Sequence, residues 1–173
     1  MAPRAAARLE SLGFDKVYQY KAGKLDWLAA GLPTEGTNSD CPRAGDASRK
    51  DMVVSGLKDR LGEVRDRAKA AGWDVVVVID DQRVLLGVLR SKQLEMDPNL
   101  TVEQAMRPGP STFRPYVSTK EMADFMVGHD LDSTPITTSD GTLVGVLFRS
   151  EAVRLAANRT ACTRNLITTS IED

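Results

Sequence analysis

The side chains that most often carry covalent or metal chemistry are scarce in this chain of 173 residues. Its two cysteines, Cys41 and Cys162, stand far apart in loop-like contexts and form no metal-ligand pair, so we expect free surface thiols. His129 is the only histidine, which excludes a histidine-based metal cluster. Its position behind Phe125 and Met126 predicts a helix C-terminus. The sequence therefore predicts no metal site and no catalytic residue.

Composition and charge narrow the class of protein. Hydrophobic residues make up 42% and charged residues 27% of the sequence, which is ordinary for a globular protein with an apolar core. The net charge of −1 gives no basic field to attract nucleic acid or anionic lipid. No apolar stretch approaches the roughly 20 residues of a membrane-spanning helix, and no signal-peptide core is present. We therefore expect a cytoplasmic protein with no nucleic-acid and no membrane partner.

An internal repeat organises the chain. The stretch Leu-Leu-Gly-Val-Leu at residues 85–89 returns as Leu-Val-Gly-Val-Leu at residues 143–147, and we call this shift along the chain the repeat offset. The same offset pairs residues 75–79 with residues 133–137 without a gap. A repeat of this length is one supersecondary unit, and a unit that cannot bury its apolar face alone is expected to pack on its copy.

Both copies show the same order of signals: an amphipathic helix, a strand, a turn and a second strand. The strands are predicted at 75–79 and 84–89 in the first copy, and at 135–137 and 143–147 in the second. The helix of the first copy is predicted to end near Gly72 and to bury Leu57, Leu61, Val64 and Ala68. Short helices are also expected at 91–96, 101–106 and 149–158.

The helix of the second copy has clearer start signals. Ser118 is the expected N-cap, with Glu121 three residues on as its capping-box partner, and Val117 and Met122 occupy the two positions of a hydrophobic staple. Asp-Gly at 140–141 predicts a tight hairpin between the two strands that follow. Trp73, beside the apolar run of the first copy, is expected to be a packing anchor.

With these motifs in this order, residues 52–157 resemble a tandem pair of cystathionine-β-synthase (CBS) domains. The resemblance implies an α/β (α+β) fold in which two β-α-β-β-α repeats pack as a pseudo-twofold pair with two clefts. Such pairs are not catalytic. They commonly bind adenosine-containing ligands such as AMP, ATP or S-adenosylmethionine, regulate an attached or partner protein, and form homodimers. No cofactor is required.

The N-terminal residues differ in character from the repeats. A short helix ending at Gly13, a strand at 17–20 and a helix at 24–30 are predicted, with Trp27 as a further packing anchor. Leu-Gly-Phe at 12–14 and the Trp-to-Pro stretch at 27–33 resemble the C-terminal end of a rhodanese domain. The chain thus divides into a rhodanese-like remnant (1–36), a mobile linker (37–51), the first repeat (52–97), the second repeat with its connector (98–158) and a frayed tail (159–173).

The rhodanese resemblance raises an enzymatic alternative. A rhodanese uses a cysteine of low pKa in a loop at a helix N-terminus, and that loop should immediately precede the helix at Ala5, where no cysteine stands. Cys41 begins a loop of similar length but follows the last expected rhodanese helix. We expect no enzyme activity. Sulfur transfer stays an alternative function. Two explanations of the N-terminal residues also stay open: the chain is a fragment of a longer protein, or it carries a degenerate rhodanese remnant.

The resemblance also marks candidate ligand positions. CBS domains that bind nucleotides place Ser or Thr three residues and Asp six residues after the strand glycine. After Gly87 these positions hold Arg90 and Gln93. After Gly145 they hold Phe148 and Glu151. Arg90 can contact a phosphate and Glu151 a ribose diol, whereas Phe148 can only stack on or pack against a base.

Three further residues complete the candidate ligand site, and each has a plain structural alternative. Thr134 and Pro135 stand where relatives line an adenine pocket, and Arg114 offers a positive charge nearby. All seven candidates are equally explained as helix-start, core or turn residues. A ligand-free dimerisation or structural module is therefore an open alternative to a nucleotide sensor. The candidates are Arg90, Gln93, Arg114, Thr134, Pro135, Phe148 and Glu151.

Overall fold

The computed structural model describes residues 2–18, 23, 27–28, 32–33, 35 and 41–157. The predicted α/β class is confirmed by the order of helices and strands. Numbered in chain order, the elements are α1 (Ala2–Ser11), α2 (Ala44–Ala47), β1 (Val54–Ser55), α3 (Leu61–Ala70), β2 (Val75–Ile79), β3 (Leu85–Arg90), α4 (Ser91–Leu94), α5 (Val102–Ala105), β4 (Arg107–Pro108), α6 (Thr119–Gly128), β5 (Ser133–Thr137), β6 (Leu143–Phe148) and α7 (Arg149–Ala157).

The two predicted strand pairs form two sheets with the same register. β2 and β3 are antiparallel, with Val77 opposite Val88, and β1 and β4 complete this sheet in the order β1-β2-β3-β4. β5 and β6 form a separate antiparallel pair, with Pro135 opposite Val146. Every facing pair in β2 and β3 corresponds, at the repeat offset, to a facing pair in β5 and β6. The sequence repeat is therefore also a repeat of strand pairing.

Helix starts follow the local sequence signals, with one correction. Ser118 caps α6, because its Oγ accepts a hydrogen bond from the Glu121 N–H at 3.2 Å. Helix α3 begins at Leu61, so the prediction that Leu57 belongs to it is wrong. Leu57 precedes the helix but still packs on the same core, where apolar burial rather than helical spacing decides its position.

The hairpin turns occupy equivalent places in the two copies. Arg83 and Gly141 both have left-handed backbones, with φ of 63° and 88°. Glycine adopts this conformation without strain, whereas Arg83 needs support from its surroundings. Asp80 supplies that support, because its Oδ1 accepts the N–H groups of Gln82 at 2.9 Å and Val84 at 2.8 Å. The predicted Asp-Gly hairpin is therefore present, and the first copy builds the same turn without glycine.

Residues 41–51 are folded, which corrects the prediction of a mobile linker. Helix α2 is related to α5 by the repeat offset, and Arg49 forms an antiparallel bridge with Val146 as Arg107 does with Val88. The repeat therefore includes residues 43–51 and 101–109, and we call residues 43–99 the first repeat and 101–157 the second. Two hydrogen bonds of each segment are also equivalent. Ala44 N donates to Val117 O at 2.8 Å, as Val102 N donates to Asp59 O at 3.0 Å. Gly45 N donates to Pro115 O at 2.9 Å, as Glu103 N donates to Leu57 O at 3.1 Å.

These starting segments are exchanged between the repeats. Ala44 of α2 is buried in the core of the second repeat, and Val102 and Ala105 of α5 are buried in the core of the first. A third core lies between the repeats. It contains Met52, Trp73, Val75, Val77, Leu143 and Val146. The exchange and the shared core bury apolar surface that neither repeat could bury alone.

The N-terminal residues pack less. Helix α1 confirms the first predicted helix, and Gly13 follows it with φ of 90°. Val17 and Tyr18 are not in a strand, and the rest of the predicted strand and most of the helix at 24–30 lie outside the described residues, as does the tail from residue 158. Trp73 is a buried anchor at 5% exposure, but Trp27, whose indole N–H donates to Pro33 O at 2.7 Å, is 37% exposed.

Candidate functional site

A pseudo-twofold axis passes between the hairpins of the two repeats. Val84 forms an antiparallel bridge with Thr142, its own equivalent at the repeat offset. The flanking hydrogen bonds are also equivalent: Leu85 N donates to Gly141 O at 3.1 Å, and Leu143 N donates to Arg83 O at 2.9 Å. Equivalent residues meet in this way only at a twofold axis. The axis relates two sets of residues between the repeats, which can be compared position by position.

The first set lines a cleft of about 190 Å³, which we call the arginine cleft. Its residues come from both repeats: the paired strands β3 and β4 supply one wall, and Ser111, Leu131 and the start of β5 supply the other. The lining consists of Val88, Arg90, Arg107, Pro108, Gly109, Pro110, Ser111, Leu131 and Thr134.

Strand register places the two arginines of this cleft on one face of the sheet. Arg107 in β4 is directly opposite Val88 in β3, so the two side chains share a face. Arg90 follows Val88 by two residues on the same strand and therefore points to that face as well. Both guanidinium groups thus serve one cleft. By position in the sequence, Arg90 belongs to the first repeat and Arg107 to the second, although both lie in the same sheet.

The charges of these arginines are not neutralised within the described part of the chain. Arg90 donates from Nη1 to Ser133 Oγ at 3.2 Å and from Nη2 to Ser133 O at 3.0 Å, which links β3 to β5 across the repeats. The ion pairs among the described residues include neither Arg90 nor Arg107. Guanidinium groups bind phosphate and carboxylate oxygens strongly. The cleft is therefore suited to an anion.

Hydroxyl groups complete the polar lining. Thr134 is buried at 1% exposure, and its Oγ1 donates to Ser111 O at 3.3 Å, which fixes the hydroxyl at the wall of the cleft. Ser111 itself is exposed at the rim. A threonine hydroxyl that donates one hydrogen bond can still accept another from a ligand hydroxyl.

The second set, the aromatic cleft, consists of the residues at the equivalent positions, where two aromatic rings and a guanidinium group contact one another. Phe148 takes the place of Arg90 and Trp73 the place of Leu131, and their ring centroids are 5.3 Å apart. Arg49, the equivalent of Arg107, lies with its guanidinium carbon 4.4 Å from the Trp73 centroid and 5.9 Å from that of Phe148. The full set is Arg49, Lys50, Asp51, Met52, Val53, Trp73, Val76, Val146 and Phe148.

Arg49 is also held by a carboxylate, unlike its counterpart Arg107. Its Nε and Nη2 donate to Asp51 Oδ1 and Oδ2 at 3.0 and 2.5 Å. These hydrogen bonds lower the pKa of Asp51 and raise that of Arg49. The Arg49 guanidinium thus contacts the rings of Trp73 and Phe148 with its face and Asp51 with its edge.

The structure separates the seven predicted ligand residues. Arg90 and Thr134 line the arginine cleft, and Phe148 fills the aromatic cleft. Gln93 turns back to cap α4, where its Oε1 accepts the Arg90 N–H at 3.2 Å. Glu151 is paired with Arg154 at 2.5 Å, and this hydrogen bonding lowers the pKa of Glu151.

The two remaining candidates have structural contacts. Arg114 donates from Nη1 to Thr137 Oγ1 at 2.9 Å and to the carbonyl oxygens of Thr137 and Thr138, so it ties the chain before α6 to the second sheet. Pro135 is buried in β5 opposite Val146. Sequence reasoning missed Arg107 and Ser111. The identity of Arg49 and Arg107 at the repeat offset was the signal that could have found the first of them.

A larger groove of about 330 Å³ lies on the other side of the first repeat, between α3 and α4. Its charged residues are of both signs and none of the predicted ligand residues lines it, so it offers no net attraction for an anion. The lining consists of Arg65, Ala68, Lys69, Trp73, Asp74, Ser91, Leu94 and Glu95. The smaller arginine cleft is the better candidate site on chemical grounds.

Other kinds of site receive no support from the described residues. Among them, no group of histidine, cysteine, aspartate or glutamate has an arrangement that could hold a metal ion. Cys41 is disulfide-bonded, so the expectation of a free thiol at this position is wrong. No helix in the described ranges has the length and apolar character needed to span a membrane.

Comparison with known proteins identifies the fold. Residues 102–158 match the family model of the CBS domain. The sequence matches no curated protein. Among solved structures, the cytosolic domain of the Mg2+ channel MgtE in complex with ATP aligns with a TM-score of 0.61 and 23% identity, over 66% of this chain and 48% of that one. The chain thus spans about half of the MgtE domain.

Two smaller structures align over almost their full length. CBSX2 in complex with AMP has a TM-score of 0.60 and 21% identity, over 67% of this chain and 96% of that one. The CBS domain pair of protein MJ0100, in complex with 5′-methylthioadenosine and S-adenosyl-L-methionine, has a TM-score of 0.60 and 15% identity, over 69% and 98%. Residues 102–158 are therefore similar to the CBS domain, and the two repeats have the fold of solved tandem CBS-domain pairs.

Proposed function

We propose that this chain is a regulatory module that binds an adenosine-containing ligand in the arginine cleft and is not an enzyme. The observation that carries the proposal is the pair of guanidinium groups, Arg90 and Arg107, on one face of a cleft between the repeats without a carboxylate partner in the described chain. An AMP, ADP or ATP phosphate is the natural occupant of such a site. Solved structures of the same fold in complex with ATP and with AMP support this choice. The complex with S-adenosyl-L-methionine, a ligand without phosphate, supports only the adenosine part.

The size of the cleft indicates how a nucleotide would lie. Its volume of about 190 Å³ is below the roughly 300–1,000 Å³ of most whole-ligand sites. We infer that the cleft holds the phosphate and ribose, while the rest of the ligand extends past the exposed Arg107 towards solvent. The buried Thr134 hydroxyl would then accept a hydrogen bond from the ribose.

The ligand would act by linking the two repeats. Arg90 comes from the first repeat, whereas Arg107 and Thr134 come from the second, so one bound ligand contacts both. A ligand that binds two arrangements of the repeats with different affinity shifts the balance between them. We propose that this shift controls a homodimer or an unidentified protein partner in the cytoplasm.

Thermal unfolding of the purified chain with AMP, ADP, ATP, NAD and S-adenosylmethionine tests the proposal. At about a hundredfold excess over Kd, a ligand specific for the folded chain adds about 2.7 kcal/mol and raises Tm by a few degrees. Arg107→Ala should remove the shift. Lys58→Ala, which removes an exposed positive charge outside the cleft lining, should leave it unchanged.

The same experiment separates the proposal from a module without a ligand. The filled aromatic cleft favours that alternative for one half of the molecule. No Tm shift with any of the five compounds, or an equal shift in Arg107→Ala, would reject the arginine cleft as a nucleotide site. Thiosulfate:cyanide turnover abolished by Cys41→Ser would establish sulfur transfer instead, although a disulfide-bonded Cys41 offers no thiolate.

A further inference from the structure

We propose that the two clefts of this chain have different roles: the arginine cleft takes one phosphate-bearing ligand per chain, and the aromatic cleft is a permanent joint between the repeats. This inference rests on the proposed function and specifies its stoichiometry and ligand class. It is argued from the pseudo-twofold axis, which relates two equivalent sets of cleft residues in one molecule. The arginine cleft has a polar lining and can bind an anion, whereas the aromatic cleft cannot.

Apart from the exposed Pro108 and Gly109, which are matched by the charged Lys50 and Asp51, the side chains at equivalent positions differ in one direction. Every polar position of the arginine cleft except Arg107 has an apolar or aromatic equivalent. The pairs, with the arginine cleft first, are Arg90 and Phe148, Ser111 and Val53, and Thr134 and Val76, while the apolar Leu131 is matched by the larger Trp73. Loss of hydroxyl and guanidinium groups on one side removes the donors and acceptors that a nucleotide needs.

The aromatic cleft is also physically filled. Trp73 is 5% exposed and the Phe148 ring packs against it, whereas Leu131, the equivalent of Trp73 in the arginine cleft, is only partly buried. The Arg49 guanidinium covers the Trp73 ring at 4.4 Å and is bound at its edge by Asp51. A phosphate entering this side would have to replace both contacts, and it would meet apolar side chains beyond them.

The joint holds the repeats together without a ligand. Phe148 belongs to β6 of the second repeat, and Trp73 precedes β2 of the first, so their ring contact crosses between the repeats. On the other side of the axis, the crossing contact is the polar one from Arg90 to Ser133. A ligand at the arginine cleft therefore acts on the polar side only, with the aromatic side fixed.

The arginines also set the ligand class. Both cationic groups face the cleft from the first repeat's sheet, and the hydroxyls lie on the opposite wall. A nucleoside without phosphate contacts the hydroxyls but leaves the guanidinium groups without an anion. Loss of one charge-assisted hydrogen bond weakens binding by about tenfold or more. We therefore expect AMP or ATP to bind at least about tenfold more tightly than adenosine.

Isothermal titration calorimetry on the full chain tests these statements with AMP, ATP and adenosine as probes. The expected result is one nucleotide per chain, with adenosine weaker than AMP. Arg107→Ala should weaken AMP binding by about tenfold or more. Arg49→Ala, the substitution at the equivalent position of the aromatic cleft, should leave the affinity unchanged and is the matched control.

Each contrary outcome has its own meaning. Two nucleotides per chain, or equal weakening by Arg49→Ala and Arg107→Ala, overturns the division of roles while nucleotide binding stands. One nucleotide per two chains overturns it as well, because the site then lies between protomers. Adenosine binding as tightly as AMP rejects the phosphate class. No heat and no Tm shift with any probe rejects the proposed function itself.

Since Arg107 is exposed and has no ion pair in the described chain, Arg107→Ala should fold, which the thermal unfolding curve verifies.

Discussion

Two glycines at equivalent positions allow the exchanged segments to approach the sheets. A Cβ on Gly145 would lie 2.6 Å from Ser48 Oγ and 2.7 Å from Arg49 O, and a Cβ on Gly87 would lie 2.6 Å from Met106 Sδ and 2.9 Å from Arg107 O. Real Cβ atoms do not come so close to other atoms. At both positions glycine is therefore needed for close backbone approach, and the glycine of the sequence repeat has a packing role.

We expect Gly145→Ala to lower the free energy of unfolding by about 1–3 kcal/mol, since the added methyl group must displace the backbone at Arg49. Gly128→Ala is the control, because a Cβ at Gly128 meets no atom within 4 Å and alanine is the better helix former in α6. Urea unfolding followed by circular dichroism measures both. An unchanged or higher stability of Gly145→Ala would show that residues 48–49 are not held against β6.

Asp140 makes the second hairpin sensitive to acid. Its Oδ1 accepts hydrogen bonds from the Thr138 hydroxyl and from Thr142 N–H at 3.1 Å, and these, the Thr138 bond first, lower the pKa of Asp140. A carboxyl with a lower pKa in the folded state stabilises the fold above its unfolded pKa of about 3.9. That contribution disappears as pH falls through the folded pKa.

We therefore expect Asp140→Asn to reduce Tm at about pH 7 and the difference from the unchanged chain to shrink as the pH falls from about 5 to 2. Thermal unfolding at several pH values gives this difference directly. Asp81→Asn removes an exposed carboxylate from the other hairpin and serves as control. A Tm difference that is constant across this pH range would mean that the carboxylate charge of Asp140 does not stabilise the turn.

At the scale of elements, α2 and α5 are short helices that gain stability from burial and not from helix propensity. Each has four residues, fewer than an isolated helix needs in water. Ala44 in α2 is fully buried against α6 and α7 of the second repeat, and Val102 in α5 is fully buried in the first core. The fold of residues 43–51 thus depends on its docking to the other repeat.

Ala44→Asn tests whether α2 is part of the core. A buried amide without a hydrogen-bond partner costs about 1–3 kcal/mol, and the larger side chain adds strain, so we expect a clear loss of stability. Lys50→Asn, at an exposed position in the same segment, should have little effect. Equal midpoints of denaturant unfolding for the two variants would restore the interpretation of residues 41–51 as a linker.

The contrast between α2 and α6 explains what the sequence could reveal. Helix α6 has a cap at Ser118 and a staple from Val117 to Met122, and these local signals predicted its start. Helix α2 has four residues and no period, so its glycine- and charge-rich surroundings favoured a linker. Only alignment with residues 101–109, where Ala47 matches Ala105 and Arg49 matches Arg107, would have found it.

The candidate site was predictable only in part for a related reason. Arg90 and Thr134 stand at positions that a family pattern marks, whereas Arg107 reaches the cleft through the pairing of β4 with β3, a tertiary contact. The pairing of Glu151 with Arg154 and the ring contact of Phe148 with Trp73 also depend on the folded arrangement. Spacing along the chain locates strand ends, but packing decides which side chains face a cleft.

At the scale of the whole molecule, each of the three cores formed by the described residues contains side chains from both repeats. The first core includes α5 from the second repeat, the second core includes α2 from the first, and the third lies between them. Unfolding either repeat removes a buried segment from the other and exposes the shared core. Two domains joined in this way should behave as one cooperative unit.

We expect the chain to unfold in a single transition. In a Trp27→Phe background, Trp73 is the one remaining tryptophan and reports on the core between the repeats, while circular dichroism reports on all helices and strands. The two midpoints should coincide. Leu61→Ala in the first core and Leu147→Ala in the second, both fully buried, should each cost about 2–5 kcal/mol and move both midpoints together. Separate midpoints, or a second transition that appears in only one variant, would mean that the repeats unfold independently. The exchanged segments would then fail to couple them, and a ligand in the arginine cleft would lack the rigid link needed to pass its effect from one repeat to the other.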